Sequence, residues 1–300
     1  MKRPMAINRT AVRFFALLTT ASVACAPALA SVLNLSVPRS GYQVVRDLPY
    51  GTDPRQRLDI YVPDGLKTKA PVILFFYGGF WQSGSKSLYL YLGQAFASEG
   101  IIVAVADYRL YPQVRYPDFV RDGANAFAWL EANVAQYGGD PESIFVAGHS
   151  AGAYIAAMLA GDPTWLREAS VDPARVRGVI GISGPYNILP LRDRNMIAIF
   201  GGADLPETQP IARIDGKRPP MLLATGTADT TVSPRNTADF AQKLQLFDSP
   251  VEVKTYSGVD HVGIMLSLAS GFREKTTLRQ DIIDFVRREA ATSPSSPAER

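Results

Sequence analysis

Residues 143–161, "SIFVAGHSAGAYIAAMLAG", join an apolar run to a run of small, helix-forming residues through Gly148-His149-Ser150-Ala151-Gly152. The first half reads as a buried strand and the second as a helix, with Ser150 at the turn between them. A chain that reverses so sharply holds that residue in a strained conformation. Gly148 and Gly152, lacking Cβ, let strand and helix approach closely. The Ala151 N–H at the start of the helix is then placed to face an oxyanion. A Gly/Ser turn of this kind can also cradle a phosphate, but no lysine and no G-x-G-x-x-G spacing lies nearby to support that use.

A serine hydroxyl becomes a nucleophile only with a base beside it. The chain has two histidines. His149 neighbours Ser150, and on a strand it should point to the opposite side. His261, in "SGVDHVG", follows the last expected strand, at the carboxyl edge where sites of α/β sheets form. The carboxylate that orients its imidazole is expected at Asp229, in the loop "TGTADTTVSP" after the preceding strand. Asp260 reads as a turn residue, and Asp204 is the weaker competitor. The order Ser150, Asp229, His261 is one of those in which such triads occur.

Outward from this turn, apolar runs alternate with helix-period segments. Strands are expected at 42–50, 57–62, 71–77, 101–108, 143–148, 176–184, 220–226 and 251–257. Several are continuously apolar, as in parallel strands covered on both faces. Helices are expected at 86–98, 118–138, 151–160, 234–247 and 275–290. The second aligns Phe119, Ala126, Phe127, Leu130 and Val134 on one side and stops at Gly138-Gly139. The pattern predicts an α/β fold with a mostly parallel eight-stranded sheet, an antiparallel edge from the first strands, and helices on both faces. A single domain is expected over 31–290. Residues 185–219, rich in proline and glycine, read equally as a small cap or as a ragged crossover. The tail 291–300 reads as disordered.

Residues 1–30 have a basic start (Lys2, Arg3, Arg9, Arg13), an apolar run from Phe14 to about Cys25, and Ala28-Leu29-Ala30. This is the layout of a secretory signal peptide, so an exported, periplasmic or secreted protein is expected. The apolar run is too short to span a bilayer. The whole chain carries +3, but the leader holds four of the cations and no acidic residue, which leaves −1 for the rest. No electrostatic case remains for a nucleic-acid or anionic-membrane partner. Cys25 is the one cysteine and lies in the leader. Lipid anchoring through it is the less favoured reading, because Ser22-Val23-Ala24 lacks the leucine usual before such a cysteine.

"YGTDPRQRLDIYVP" (50–63), "FFYGGFWQSGS" (75–85), "DYRLYPQVRYPDFVRD" (107–122), "GHSAGAY" (148–154), "GTADTTV" (226–232) and "DHVG" (260–263) together resemble the α/β-hydrolase esterases. The resemblance is strongest to the branch of small carboxylesterases and kynurenine-formamidase-like enzymes. It implies the α/β-hydrolase fold and a Ser-His-Asp hydrolase of small-molecule esters, without metal or organic cofactor. It also implies that backbone N–H groups of Gly78 and Gly79 join Ala151 in an oxyanion hole. Phe80 and Trp81 are expected either to wall the substrate pocket or to serve as packing. The family usually has His-Gly-Gly where this chain has Tyr77-Gly78-Gly79, and tyrosine keeps a hydroxyl for positioning the loop. Two other readings remain: an arylformamidase or small amide hydrolase, and a hydrolase-fold protein used only for binding. The second usually goes with loss of a triad member, and this chain retains all three.

Overall fold

Eight strands form one sheet: β1 (Tyr42–Pro49), β2 (Arg57–Pro63), β3 (Ala70–Phe76), β4 (Ile102–Ala106), β5 (Gly139–His149), β6 (Val176–Ile182), β7 (Met221–Gly226) and β8 (Val251–Tyr256). The computed structural model describes residues 34, 35 and 37–292. The expected leader with Cys25, and the tail beyond Thr292, lie outside the described residues. The order across the sheet is β1-β2-β4-β3-β5-β6-β7-β8. β1 pairs with β2 and β2 with β4 antiparallel, and every other pairing is parallel. This is the mixed sheet with an antiparallel edge that the alternation predicted. β5 starts at Gly139, four residues before the expected strand, because Ala70 pairs with Gly139 ahead of the main register.

Covering helices are α1 (Leu90–Ala97), α2 (Asp118–Asn133), α3 (Ala151–Gly161), α4 (Thr164–Glu168), α5 (Arg194–Phe200), α6 (Arg235–Gln245), α7 (Gly263–Leu266) and α8 (Leu278–Ala291). Strand alternation divides their work. Ile73, Phe75, Ala147 and Ile180 meet Leu92 and Phe96 of α1 and Ile282 of α8 on one face. Phe76 points the other way, where Gly123 of α2 lies close enough to Ile155 and Leu159 of α3 that a Cβ would touch Ile155 at 2.7 Å. α3 is buried along its whole length, which explains why its sequence has no polar stripe. α2 buries the five expected apolar residues through Val134, ends in a 3-10 turn, and is capped by Gly138 at φ +82°. α8 begins at Leu278, three residues after the expected start, and runs one residue into the stretch read as the tail.

Between β6 and β7, residues 183–220 hold α5 and two 3-10 turns, 206–208 and 210–213. Phe200, at the end of α5, packs edge-on against Trp81, with ring centroids 5.0 Å apart, and lies 5.6 Å from Tyr154. The Tyr154 hydroxyl donates to the Thr208 carbonyl. The segment is thereby fastened over the carboxyl ends of the central strands.

Candidate active site

β3 and β5 are neighbours in the sheet, yet the chain leaves β3 toward β4 on one side and then returns to β5 on the other. The crevice at such a reversal lies outside the carboxyl ends of the strands. The Gly78–Gly84 loop and Ser150 both emerge there.

Ser150 has φ +54° and ψ −122°, a conformation that costs a non-glycine residue about 1–3 kcal/mol. Its neighbours hold it there. The Ser150 N–H donates to the Ile182 carbonyl (2.9 Å), and its own carbonyl accepts from Tyr154 N–H (3.1 Å). A Cβ on Gly152 would lie 1.9 Å from the Phe76 carbonyl oxygen, and one on Gly148 would lie 2.2 Å from the Gly152 backbone. The two glycines of G-x-S-x-G thus let β3, β5 and α3 meet. Replacing Gly152 with alanine should destabilise the fold by about 3 kcal/mol or more. Gly271→Ala, at a position with open space around it, should stay within about 0.5 kcal/mol. Urea unfolding midpoints of the two variants check this contrast.

Asp229 and His261 meet as expected, after β7 and β8. His261 Nδ1 lies 2.7 Å from Asp229 Oδ2. The other carboxylate oxygen accepts the N–H groups of Thr231 (3.0 Å) and Val232 (2.9 Å). Burial raises the Asp229 pKa, but the His261 hydrogen bond and charge, together with the Val232 N–H, outweigh it and hold the group below the usual carboxylate range. The Ser183 hydroxyl contributes in the same direction from nearby, although it makes no hydrogen bond of good geometry. An ionised Asp229 accepts a hydrogen bond from Nδ1–H, so the tautomer is fixed and Nε2 of His261 is left as the free base. Asp260 accepts from Gly263 N–H at 2.6 Å as a turn residue, and Asp204 is exposed.

His149 makes no hydrogen bond to Ser150 and packs instead against His261. It is buried, with its ring 4.6 Å from that of His261, and its Nε2 lies 2.9 Å from the His261 carbonyl oxygen. A carbonyl only accepts, so His149 must carry its proton on Nε2. Burial first, then the nearby His261, push the His149 pKa down to about 3. The side chain is therefore a neutral strut under the His261 loop and has no free basic nitrogen on that side.

The glycines of the β3 loop differ in their work. Gly78 faces Ser150 and His149 so closely that a Cβ would lie 2.9 Å from Ser150 Cβ. Gly79 turns the chain at φ +136°, and Phe80 (φ +54°) and Trp81 (φ +57°) follow in left-handed conformations. Among the described residues, the N–H groups of Gly79, Phe80 and Trp81 have no protein acceptor, and that of Gly78 faces the Tyr89 hydroxyl. The Ala151 N–H, in the first turn of α3, has no side-chain cap. Unpaired N–H groups around a strained serine can stabilise a negative oxygen.

A cavity of about 140 Å³ opens on Ser150 and Ala151. Its walls are Phe80, Trp81, Pro185, Ile188, Met196, Thr231 and Val232. Phe80 and Trp81 line it, and Trp81 also packs edge-on against Tyr154 at 5.1 Å. The walls from residues 185–196 carry no motif. They would have been legible only from knowing that this segment folds back over β5.

A model of the BD-FAE family matches residues 58–244, well over half of the chain, with Ser150 and Asp229 inside the matched stretch. The chain belongs to the BD-FAE family of α/β-hydrolase esterases. Among the relatives of this BD-FAE chain is the isoprenylcysteine alpha-carbonyl methylesterase ICME of Arabidopsis thaliana, 33% identical over 82% of this chain and 63% of its own length. Esterase LipC of Mycobacterium tuberculosis is 32% identical over 67% of this chain and 55% of its own. The chain thus spans about half to two thirds of these curated relatives. In three dimensions the fold is similar to a truncated carbohydrate esterase from gut microbiota (TM-score 0.75, 18% identity, 85% of this chain and 99% of that one). It is also similar to esterase B of Lactobacillus rhamnosis (TM-score 0.76, 20% identity, 90% and 95%).

Proposed function

We propose that this chain is a serine hydrolase that cleaves carboxylic esters of small molecules through an acyl-enzyme. The observation that carries the reading is the buried 2.7 Å Asp229–His261 hydrogen bond at the same sheet edge as a strained Ser150. His261 Nε2 takes the hydroxyl proton as Ser150 Oγ bonds to the ester carbonyl carbon. Asp229 stabilises the imidazolium that forms. The N–H groups of Gly78, Gly79 and Ala151 receive the oxyanion. His261 then returns the proton to the departing alkoxide, which leaves as the alcohol. Water, deprotonated by the same nitrogen, releases the acid and frees Ser150.

The cavity walls suit an apolar acyl or alcohol group of modest size, with Phe80 and Trp81 as binding residues. The sequence likeness to the branch that includes kynurenine-formamidase-like enzymes adds aryl formamides as competing substrates. A panel of p-nitrophenyl esters from two to twelve acyl carbons, run beside formanilide, separates these. Turnover is expected for esters, falling at the longer acyl lengths. Turnover of formanilide alone would replace the ester reading with the amide one. Silence toward all of them, from folded protein that also fails to react with a fluorophosphonate, would leave a binding protein. The layout of residues 1–30 adds export to this proposal. N-terminal sequencing of the protein from a periplasmic or culture fraction should begin at Ser31, whereas a lipid-modified Cys25 at the start would make it an anchored enzyme.

A further inference from the structure

The β3 loop is under strain, and the packing of the Trp81 ring against Tyr154 and Phe200 restrains its middle but not its ends. Gly79, Phe80 and Trp81 are three consecutive residues at positive φ, two of them non-glycine, and each non-glycine costs about 1–3 kcal/mol unless the surroundings impose it. Inside the loop, Gln82 and Ser83 N–H both donate to the Gly79 carbonyl at 3.0 Å, which closes the turn but does not fix its direction.

The direction is set from outside. The Tyr77 hydroxyl donates to Asp107 Oδ1 (2.6 Å) and accepts from Arg55 Nη2 (2.7 Å). The same Asp107 oxygen accepts Lys86 N–H (2.7 Å), just after the loop. Arg55 Nη2 also donates to the Gly84 carbonyl (3.0 Å), and its Nε donates to the Tyr108 carbonyl (2.9 Å). The Tyr108 hydroxyl donates back to the Tyr77 carbonyl at 2.8 Å. The Tyr77 ring lies between those of Tyr89 and Tyr108, with centroids 5.6 and 4.9 Å away. A Cβ on Gly84 would lie 2.5 Å from that ring. Both ends of the loop are therefore tied to one buried phenol, one carboxylate and one guanidinium. Burial and the Asp107 charge hold the Tyr77 hydroxyl well above its ordinary range, so it stays a donor throughout the neutral region.

We propose that Arg55, Tyr77 and Asp107 are positioning residues that clamp the loop from Gly78 to Gly84 and thereby aim its free N–H groups at the oxyanion. The proposal rests on the ester-hydrolase reading for its kinetic consequence, but not for its structural one. The clamp acts on the transition state, where the oxyanion forms, and leaves ground-state binding nearly unchanged.

The test uses Tyr77→Phe, which keeps the ring and removes one hydroxyl, and Arg55→Lys, at a partly exposed position. The first readout is hydrogen exchange of the Gln82, Ser83 and Lys86 amides, which should accelerate tenfold or more in both variants with the rest of the chain unchanged. The second is p-nitrophenyl acetate hydrolysis: kcat should fall by about tenfold to hundredfold with KM within twofold. Affinity for an aryl trifluoromethyl ketone, whose hemiketal oxygen occupies the same place, should fall in parallel with kcat. Asp107→Asn, which keeps an acceptor for Tyr77 and Lys86, should retain more of kcat than Asp107→Leu. Unchanged exchange in both folded variants overturns the clamp, as does a loss confined to KM. If the parent protein hydrolyses no ester, the functional reading fails and the exchange data still decide the clamp. If Tyr77→Phe does not fold, Arg55→Lys decides it.

Discussion

Ser150→Ala and His261→Ala should each lower kcat for a short-chain p-nitrophenyl ester by about 10⁴–10⁶-fold, and the double variant should be no slower than either one alone. The non-additivity follows from the proposed mechanism. In that mechanism His261 serves only to move the proton of Ser150 Oγ, and that oxygen attacks only as the proton leaves. Removing either partner removes the same step. What remains is turnover by water in a pocket that still has its free N–H groups, and this residue is worth about 10³–10⁴ over the reaction in solution. The fold should survive Ser150→Ala, because alanine keeps the backbone bonds to Ile182 and Tyr154 and loses only the hydroxyl. Intact mass after fluorophosphonate treatment gives a second check: one adduct on the parent protein and none on either variant. A full rate in Ser150→Ala would exclude the acyl-enzyme, and additive losses would mean that His261 acts on something other than Ser150.

Between pH 6.5 and pH 4.5 the protein should lose about 2–3 kcal/mol of stability that a His149→Gln variant does not lose. The sign follows from the direction of the shift. His149 titrates near pH 6.5 in the unfolded chain but is held down to about 3 when folded. Above pH 6.5 both states are neutral and the residue adds no pH dependence. Below it the unfolded chain takes up a proton that the folded one refuses, so stability falls with pH until about pH 3. The full window amounts to roughly 5 kcal/mol. Asp229, also depressed, contributes stability that is lost only below the ordinary carboxylate range, so measurements stopped at pH 4.5 isolate the histidine. Glutamine keeps a donor for the His261 carbonyl and carries no titrating ring. Urea unfolding of both proteins at pH 7.0, 5.5 and 4.5 should give curves that converge as the pH falls. Parallel curves would mean that His149 can be protonated inside the fold.

His149 also shows where sequence reasoning stops. Alternation along β5 predicts its side chain on the opposite side from Ser150 and says nothing of any other partner. Its contact with His261 arises because a loop 112 positions later packs against the end of β5, and no periodicity within the strand carries that information. The pocket walls Pro185, Ile188 and Met196 follow the same logic, as does the meeting of Arg55, Tyr77 and Asp107. Arg55 and Asp107 both lie in motifs that resemble the family, but the motifs give no hint that the two converge on one hydroxyl.

The elements themselves were readable because their causes are local. Continuous apolar runs make strands covered on two faces, and glycines at 138, 148 and 152 mark a helix end and a close approach that no other residue permits. The candidate triad was readable because only two histidines exist and because sites in this kind of sheet collect at one edge. Legible in the sequence, therefore, were the eight strands and the longer helices between them, the turn at Ser150, and the residues Asp229 and His261 expected to meet it, whereas the short helices at 164–168, 194–200 and 263–266 were not. What surrounds them came from the packing of distant segments: the neutral histidine beneath the His261 loop, the walls of the pocket, and the buried phenol beside the strained loop. Those contacts join residues from about 20 to more than 100 positions apart, and they depend on sheet register and on how loops pack, which no local pattern encodes.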